Sequence, residues 1–153
     1  MIKALNKKES LKLLQNNYIG ALSYIYNNHP YIVPMTYYFD KENNVLICYS
    51  AEGHKIKSMR KNNNVAFEVT ELESVHKWMS VLVHGTYEEL MGSNVKLQLH
   101  KFSLGVKTII RKKEHREVDF ISEFSSKIYK NDLPIAFLIK IDDIIGRKRD
   151  HLE

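Results

Sequence analysis

Tyr49-Ser-Ala-Glu-Gly-His-Lys-Ile-Lys-Ser-Met-Arg-Lys-Asn-Asn-Asn64 is the stretch where an apolar run gives way to a basic, amphipathic segment. It reads as a strand, a tight turn and a helix. Ser50 is placed to cap that helix, Glu52 suits its positive first turn, and Gly53 lets backbone come close to a ligand. The amides near His54 and Lys55 would then point outward unpaired. A phosphate set there gains the helix N-terminus, the Ser50 hydroxyl and the cationic Lys55, so an anion site is one reading. A capped surface helix with a solvated basic face is the plainer one, and the remainder of the chain must decide between them.

With 153 residues and 44% hydrophobic content, the chain suits one domain, residues 1–153, with a core of its own. Its single cysteine, Cys48, lies in an apolar run, which excludes an intrachain disulfide, a redox pair and a thiolate metal centre. A reducing compartment fits. Met1 to Ser10 is polar and charged, unlike a secretory signal, and no stretch has the apolar length of a membrane span. The expectation is a cytoplasmic protein with no membrane partner.

The net charge of +5 is concentrated in two clusters, Lys55, Lys57, Arg60 and Lys61, and Lys107, Arg111, Lys112, Lys113 and Arg116. Neither belongs to a zinc finger, a basic zipper or an RNP-type strand, so nucleic acid is not an expected partner. The seven histidines show no paired helical spacing with a carboxylate, and no metal is expected. No nucleophile elbow or Ser-His-Asp order supports a hydrolase.

Asn6 and Glu9 have capping-box spacing, which predicts a short helix over about 7–16. Gly20 to Tyr26 and Tyr31 to Phe39 are β-rich runs around the turn signal Asn27-Asn28-His29-Pro30. Pro34 removes a ladder donor and so places its strand at an edge or a bulge. Val45 to Tyr49, Val65 to Val69, Trp78 to Leu90 and Ile135 to Ile141 complete six runs, with Gly85 marking a bend. A helical insertion is expected over about 94–130, as two helices, 94–104 and 118–130, with the highly charged stretch 107–117 between them read either as mobile or as anchored to the body by Ile109 and Ile110. Gly146 and the charged residues after it should end the fold. This order predicts a mainly β fold, a six-stranded antiparallel split barrel with peripheral helices.

Four blocks, Gly20-Ala-Leu, His29-Pro-Tyr-Ile-Val-Pro-Met-Thr-Tyr, Tyr49-Ser-Ala-Glu-Gly-His-Lys and Ser80-Val-Leu-Val-His-Gly, then resemble a known family in their order. It is the FMN-binding split-barrel family that includes pyridoxamine phosphate oxidase, with nitroimidazole-resistance-type proteins as the nearest branch. A weaker fifth block, Ile139-Lys-Ile-Asp-Asp-Ile-Ile-Gly-Arg, extends the resemblance over roughly Tyr18 to Arg147. The resemblance implies an FMN-binding homodimer with flavin at the subunit interface. Val33, Pro34, Met35 and Thr36 would run along the flavin ring and ribityl chain. Tyr49 and Ser50 would sit near the ribityl phosphate, His54 and Lys55 would hold it, and Ser80 and Val81 would come from another barrel face or from the partner.

The chain departs from the family pattern at Tyr49, where nitroimidazole-type members carry His, and at His54, where the oxidase branch carries Arg. The substrate-phosphate residues of that branch have no counterpart, so pyridoxamine phosphate is not assigned as a substrate. The resemblance implies a flavin-dependent oxidoreductase that passes electrons from a nicotinamide or other small donor to a small acceptor, such as a nitroaromatic. The alternative is a non-catalytic module that binds flavin, haem or deazaflavin for storage or sensing.

Overall fold

The computed structural model of the chain describes residues 1–115 and 134–150. Its centre is an eight-stranded sheet in which every pairing is antiparallel. In chain order the elements are β1 (Ile2–Ala4), α1 (Lys7–Gln15), β2 (Ile19–Tyr26), β3 (His29–Thr36), β4 (Tyr38–Asp40) and β5 (Val45–Ser50), followed by α2 (His54–Lys61), β6 (Asn64–Ser74), β7 (Lys77–Glu89), α3 (Ser93–Glu114) and β8 (Ile135–Asp150). The sheet runs β3-β2-β6-β7-β8-β5-β4, with β1 added to the far end of β8.

Two of the eight strands were not expected. β1 is three residues long, and the run from Tyr31 to Phe39 divides into β3 and β4 at Tyr37. The division is what makes the barrel a split one. β3 and β4 are the two ends of the sheet path, yet one residue joins them, and two peptide steps cannot reach beyond about 7 Å. The sheet therefore coils until its ends meet without pairing to each other. Tyr37 sits fully buried at that junction, its amide donating to Tyr18 O at 2.8 Å and its hydroxyl to Leu14 O at 2.9 Å.

Gly85 bends the barrel as its position predicts. The β7–β8 register shifts between His84 and Gly85, and a Cβ on Gly85 would stand 2.5 Å from Ile139 Cγ2 and 2.6 Å from Lys140 O. β8 does not stop at Gly146. It continues to Asp150, because Arg147, Lys148 and Arg149 pair with β7 on one side and with β1 on the other, so that backbone pairing carries the charged end.

β5 is buried on both faces, which explains its unbroken apolar run. Leu46 and Cys48 enter the barrel core with Leu22, Phe67, Val81, Val83 and Phe137, and α2 closes that core with Ile56 and Met59. Val45 and Ile47 face the other way, into a second cluster with Leu99, Phe102, Val106 and Ile110 of α3. This stripe corrects the helical insertion. Val106 and Ile110 continue the spacing of Leu99 and Phe102, so one helix runs from Ser93 to Glu114 and the charges from Lys107 onward belong to its outer face. The helix expected over 118–130 lies outside the described residues. At the N-terminus the capping box forms as read, with Glu9 N donating to Asn6 Oδ1 at 2.8 Å and Asn6 N to Glu9 Oε1 at 3.2 Å.

Candidate functional site

α2 begins without the cap expected of Ser50. The Ser50 hydroxyl donates to Ala51 O at 3.0 Å, and Gly53 takes the cap position with no side-chain hydrogen bond to the helix start. The first backbone bond of the helix is Lys57 N to Gly53 O at 3.0 Å, so the amides of His54, Lys55 and Ile56 precede it without a capping side chain. Gly53 is extended, at φ 175°, a conformation open to any residue, and a Cβ there would meet nothing within 4 Å. Neither conformation nor packing within the chain requires glycine.

The positive charges of α2 divide into two kinds. Arg60 is held by carboxylates: its Nε and Nη2 donate to the two oxygens of Glu89 at 2.7 and 3.0 Å, and its Nη1 to Glu52 at 2.6 Å. The hydrogen bond from Arg60 keeps the Glu89 carboxyl below its ordinary range, against burial and with help from the Tyr87 hydroxyl at 2.7 Å. Glu52 therefore serves this clamp and not the first turn of the helix, and the clamp fixes the Ala51–Gly53 loop to the end of β7. Lys55, half-buried, has no carboxylate partner among the described residues.

His54 opens the helix inside an aromatic cluster. Its Nδ1 is 3.0 Å from the Tyr24 hydroxyl, and its ring lies 4.9 Å from both Tyr26 and Tyr31 and 5.7 Å from Tyr24. Burial raises the Tyr24 pKa, with Tyr31 adding to the effect, so that hydroxyl keeps its proton. With Nδ1 engaged by Tyr24, Nε2 is the ring nitrogen left for a ligand. The sequence reading missed this cluster. Its signal was in the turn: Asn27 and Asn28, at φ 49° and 63°, form a two-residue hairpin loop that puts Tyr24 opposite Tyr31 and Tyr26 opposite His29.

β3 starts beside His54 and runs away from it as an end strand, in keeping with Pro34. At about 3.3 Å per residue the step from Tyr31 to Thr36 covers about 16 Å. Val33 and Met35 turn toward the barrel core, whereas Pro34 is exposed on the outer face and Thr36 is half-buried. Ser80 shares that outer face, through the row of pairs Ile19–Thr36, Ala21–Glu68 and Thr70–Ser80.

The other expected residues are not gathered here within this chain. Tyr49 points to the α3 side of β5, its ring 5.2 Å from Phe102 in an edge-on contact, and burial raises its pKa. Val81 is wholly buried in the barrel core. It and Ser80 lie on β7, three strand spacings or about 14 Å from β3. A groove of about 570 Å³ lies elsewhere, between α1 and the turn after β4, lined by Leu5, Lys7, Lys41 and Asp142 among others. It contains none of the expected site residues.

Comparison with known proteins gives this geometry a family. A FAD-binding protein from Mesorhizobium loti superposes with a TM-score of 0.74 at 27% identity, over 99% of this chain and 98% of that one. An uncharacterized protein of Rhizobium meliloti is 28% identical over 148 residues, 95% of this chain and 94% of its own length. A candidate 5-nitroimidazole antibiotic resistance protein from Bacteroides thetaiotaomicron shares the fold at a TM-score of 0.69 and 16% identity, over 97% of this chain and 89% of that one. The family model of pyridoxamine 5'-phosphate oxidase matches residues 6–122, which include the β2–β3 hairpin, β5 and α2, and the chain belongs to that family.

Proposed function

We propose that this chain binds a flavin nucleotide at the start of α2 and uses it to pass electrons from a nicotinamide or other small donor to a small acceptor, a nitroaromatic among the candidates. The observation that carries the reading is the opening of α2: three uncapped amides, an open space where the side chain of residue 53 would project, and a half-buried lysine with no carboxylate among the described residues. A phosphate monoester or diester satisfies all three. The Mesorhizobium loti relative is described as FAD-binding, and FMN, which the family resemblance implies, carries the same ribityl phosphate.

In this reading the amides of His54 and Lys55, the Lys55 ammonium and His54 Nε2 hold the phosphate. The free edge of β3 at Val33, Pro34, Met35 and Thr36 offers backbone donors and acceptors along the length of the ring system. Flavin, when bound, supplies the hydride and single-electron chemistry, and the chain orients and shields it. Tyr49 is turned under α3, its ring edge-on to Phe102.

A second copy of the chain completes the site. The outer sheet face exposes Ile19, Ile32, Leu72 and Ile145, at 55, 71, 71 and 39% of their surfaces, together with Pro34, and carries the half-buried Ser80. Pairing two such faces buries this apolar surface and brings Ser80 of the partner subunit toward β3.

Protein purified from cells, or incubated with flavin and desalted, should be yellow, and anaerobic addition of NADH or NADPH should bleach the visible band until a nitroaromatic or quinone restores it. Colourless protein that ignores both FMN and FAD would end the reading. A bound flavin that neither donor bleaches would favour a storage or sensing module over an enzyme.

A further inference from the structure

The tip of the β2–β3 hairpin carries an aromatic stack whose outer face the phosphate site does not use. Tyr24 and Tyr31 are cross-strand partners whose rings lie parallel, 5.3 Å between centroids and 7° between planes. Tyr24 is 4% exposed, whereas Tyr31 is 39% exposed. His54, at 4.9 Å from one ring and 5.7 Å from the other, makes a nearly equilateral triangle with them. It therefore lies alongside the stack and covers neither outer face. Because β3 ends the sheet, no strand stands beyond Tyr31 among the described residues. The face of Tyr31 turned away from Tyr24 is open to another planar group.

Lys61 lies 5.7 Å from the centroid of Tyr26, which itself meets His54 edge-on, so positive charge flanks the cluster. An apolar ring face beside a cationic helix start matches a nucleoside attached to a phosphate.

We propose that the open face of Tyr31 is the stacking site for the adenine ring of a flavin dinucleotide whose phosphates lie at the start of α2. This rests on the flavin reading above and adds which flavin the site is built for. FMN ends at its phosphate and leaves Tyr31 uncovered. The adenosine half of FAD continues past the phosphates, and its ribose spans the step from His54, where α2 begins, to the neighbouring Tyr31 ring. Stacking on tyrosine needs no hydrogen-bond code, so the site selects for the presence of a base.

The test is to strip the protein of flavin and titrate it separately with FMN and FAD, following flavin fluorescence, in the wild type, Tyr31→Ala and Tyr31→Phe. The wild type should bind FAD at least about tenfold more tightly than FMN, a size typical of base stacking on an aromatic side chain. Tyr31→Ala should erase that preference, lowering FAD affinity more than FMN affinity, and Tyr31→Phe should keep it. Equal wild-type affinities for the two flavins, or an FAD-to-FMN ratio that Tyr31→Ala leaves intact, would overturn the proposal while the flavin site itself stands. Binding of neither flavin by the wild type would overturn both. The wild-type ratio decides the matter alone should Tyr31→Ala fail to fold.

Discussion

At the scale of single residues, two cations on one helix have different work. Lys55 opens the helix without a counter-ion among the described residues, while Arg60 ties Glu52 and Glu89 together. Lys55→Ala should weaken flavin binding by about 1.5–3 kcal/mol, the size of a charge-assisted hydrogen bond, and change the stability of the flavin-free protein by less than about 0.5 kcal/mol. Calorimetric titration and thermal unfolding check the two halves. Arg60→Ala should do the reverse in order of cause: it lowers the melting temperature of the flavin-free protein first, and flavin affinity falls because the Ala51–Gly53 loop loses its anchor. The place of Lys55 at a helix start was legible in the sequence because the signals for a helix start lie within one turn of it. The role of Arg60 was not, because Glu89 is 29 residues away and only the folded sheet brings it near.

At the scale of elements, local signals were read well where the cause is local. The Asn6–Glu9 box, the bend at Gly85 and the edge position of the Pro34 strand all follow from a residue and its immediate neighbours. α3 was read too short because the charge run from Lys107 masks the helical continuation from Val106 to the anchor Ile110, whose burial depends on β5 lying beneath. β4 is held to α3 by a further pair, Lys101 Nζ to Asp40 Oδ2 at 2.8 Å, with the Asp40 side chain 5% exposed. Burial pushes against the Asp40 charge, but the hydrogen bonds from Lys101 and Asn43 outweigh it and hold its pKa below the ordinary 3.8. A carboxyl depressed in this way stabilises the fold above its unfolded pKa, and the contribution disappears as pH falls through the folded value. Asp40→Asn should therefore be less stable than wild type near neutral pH, with the gap closing below 3.8. Urea unfolding at both acidities measures this, and a gap independent of pH would assign the loss to packing.

At the scale of the whole molecule, the element order pointed to the barrel, but the way it closes was not visible in it. Tyr37 as the hinge between the two ends of the sheet, and β8 reaching Asp150 through its pairing with β1, depend on partners far along the chain. Gly85 is where that closure is tightest. Gly85→Ala puts a methyl group against the Lys140 carbonyl and should cost about 1–3 kcal/mol in denaturant unfolding. The proposed dimer is tested on the outer face: Ile32→Asp should convert a two-chain particle into a one-chain particle in sedimentation equilibrium and weaken flavin retention with it. An unchanged assembly would remove that face from the interface. The central claim, that the opening of α2 cradles a nucleotide phosphate, is tested most directly by a crystal structure of the flavin-loaded protein. Phosphate oxygens within hydrogen-bond distance of the His54 and Lys55 amides and of Lys55 Nζ are the predicted result, and a phosphate lodged anywhere else on the barrel would contradict it.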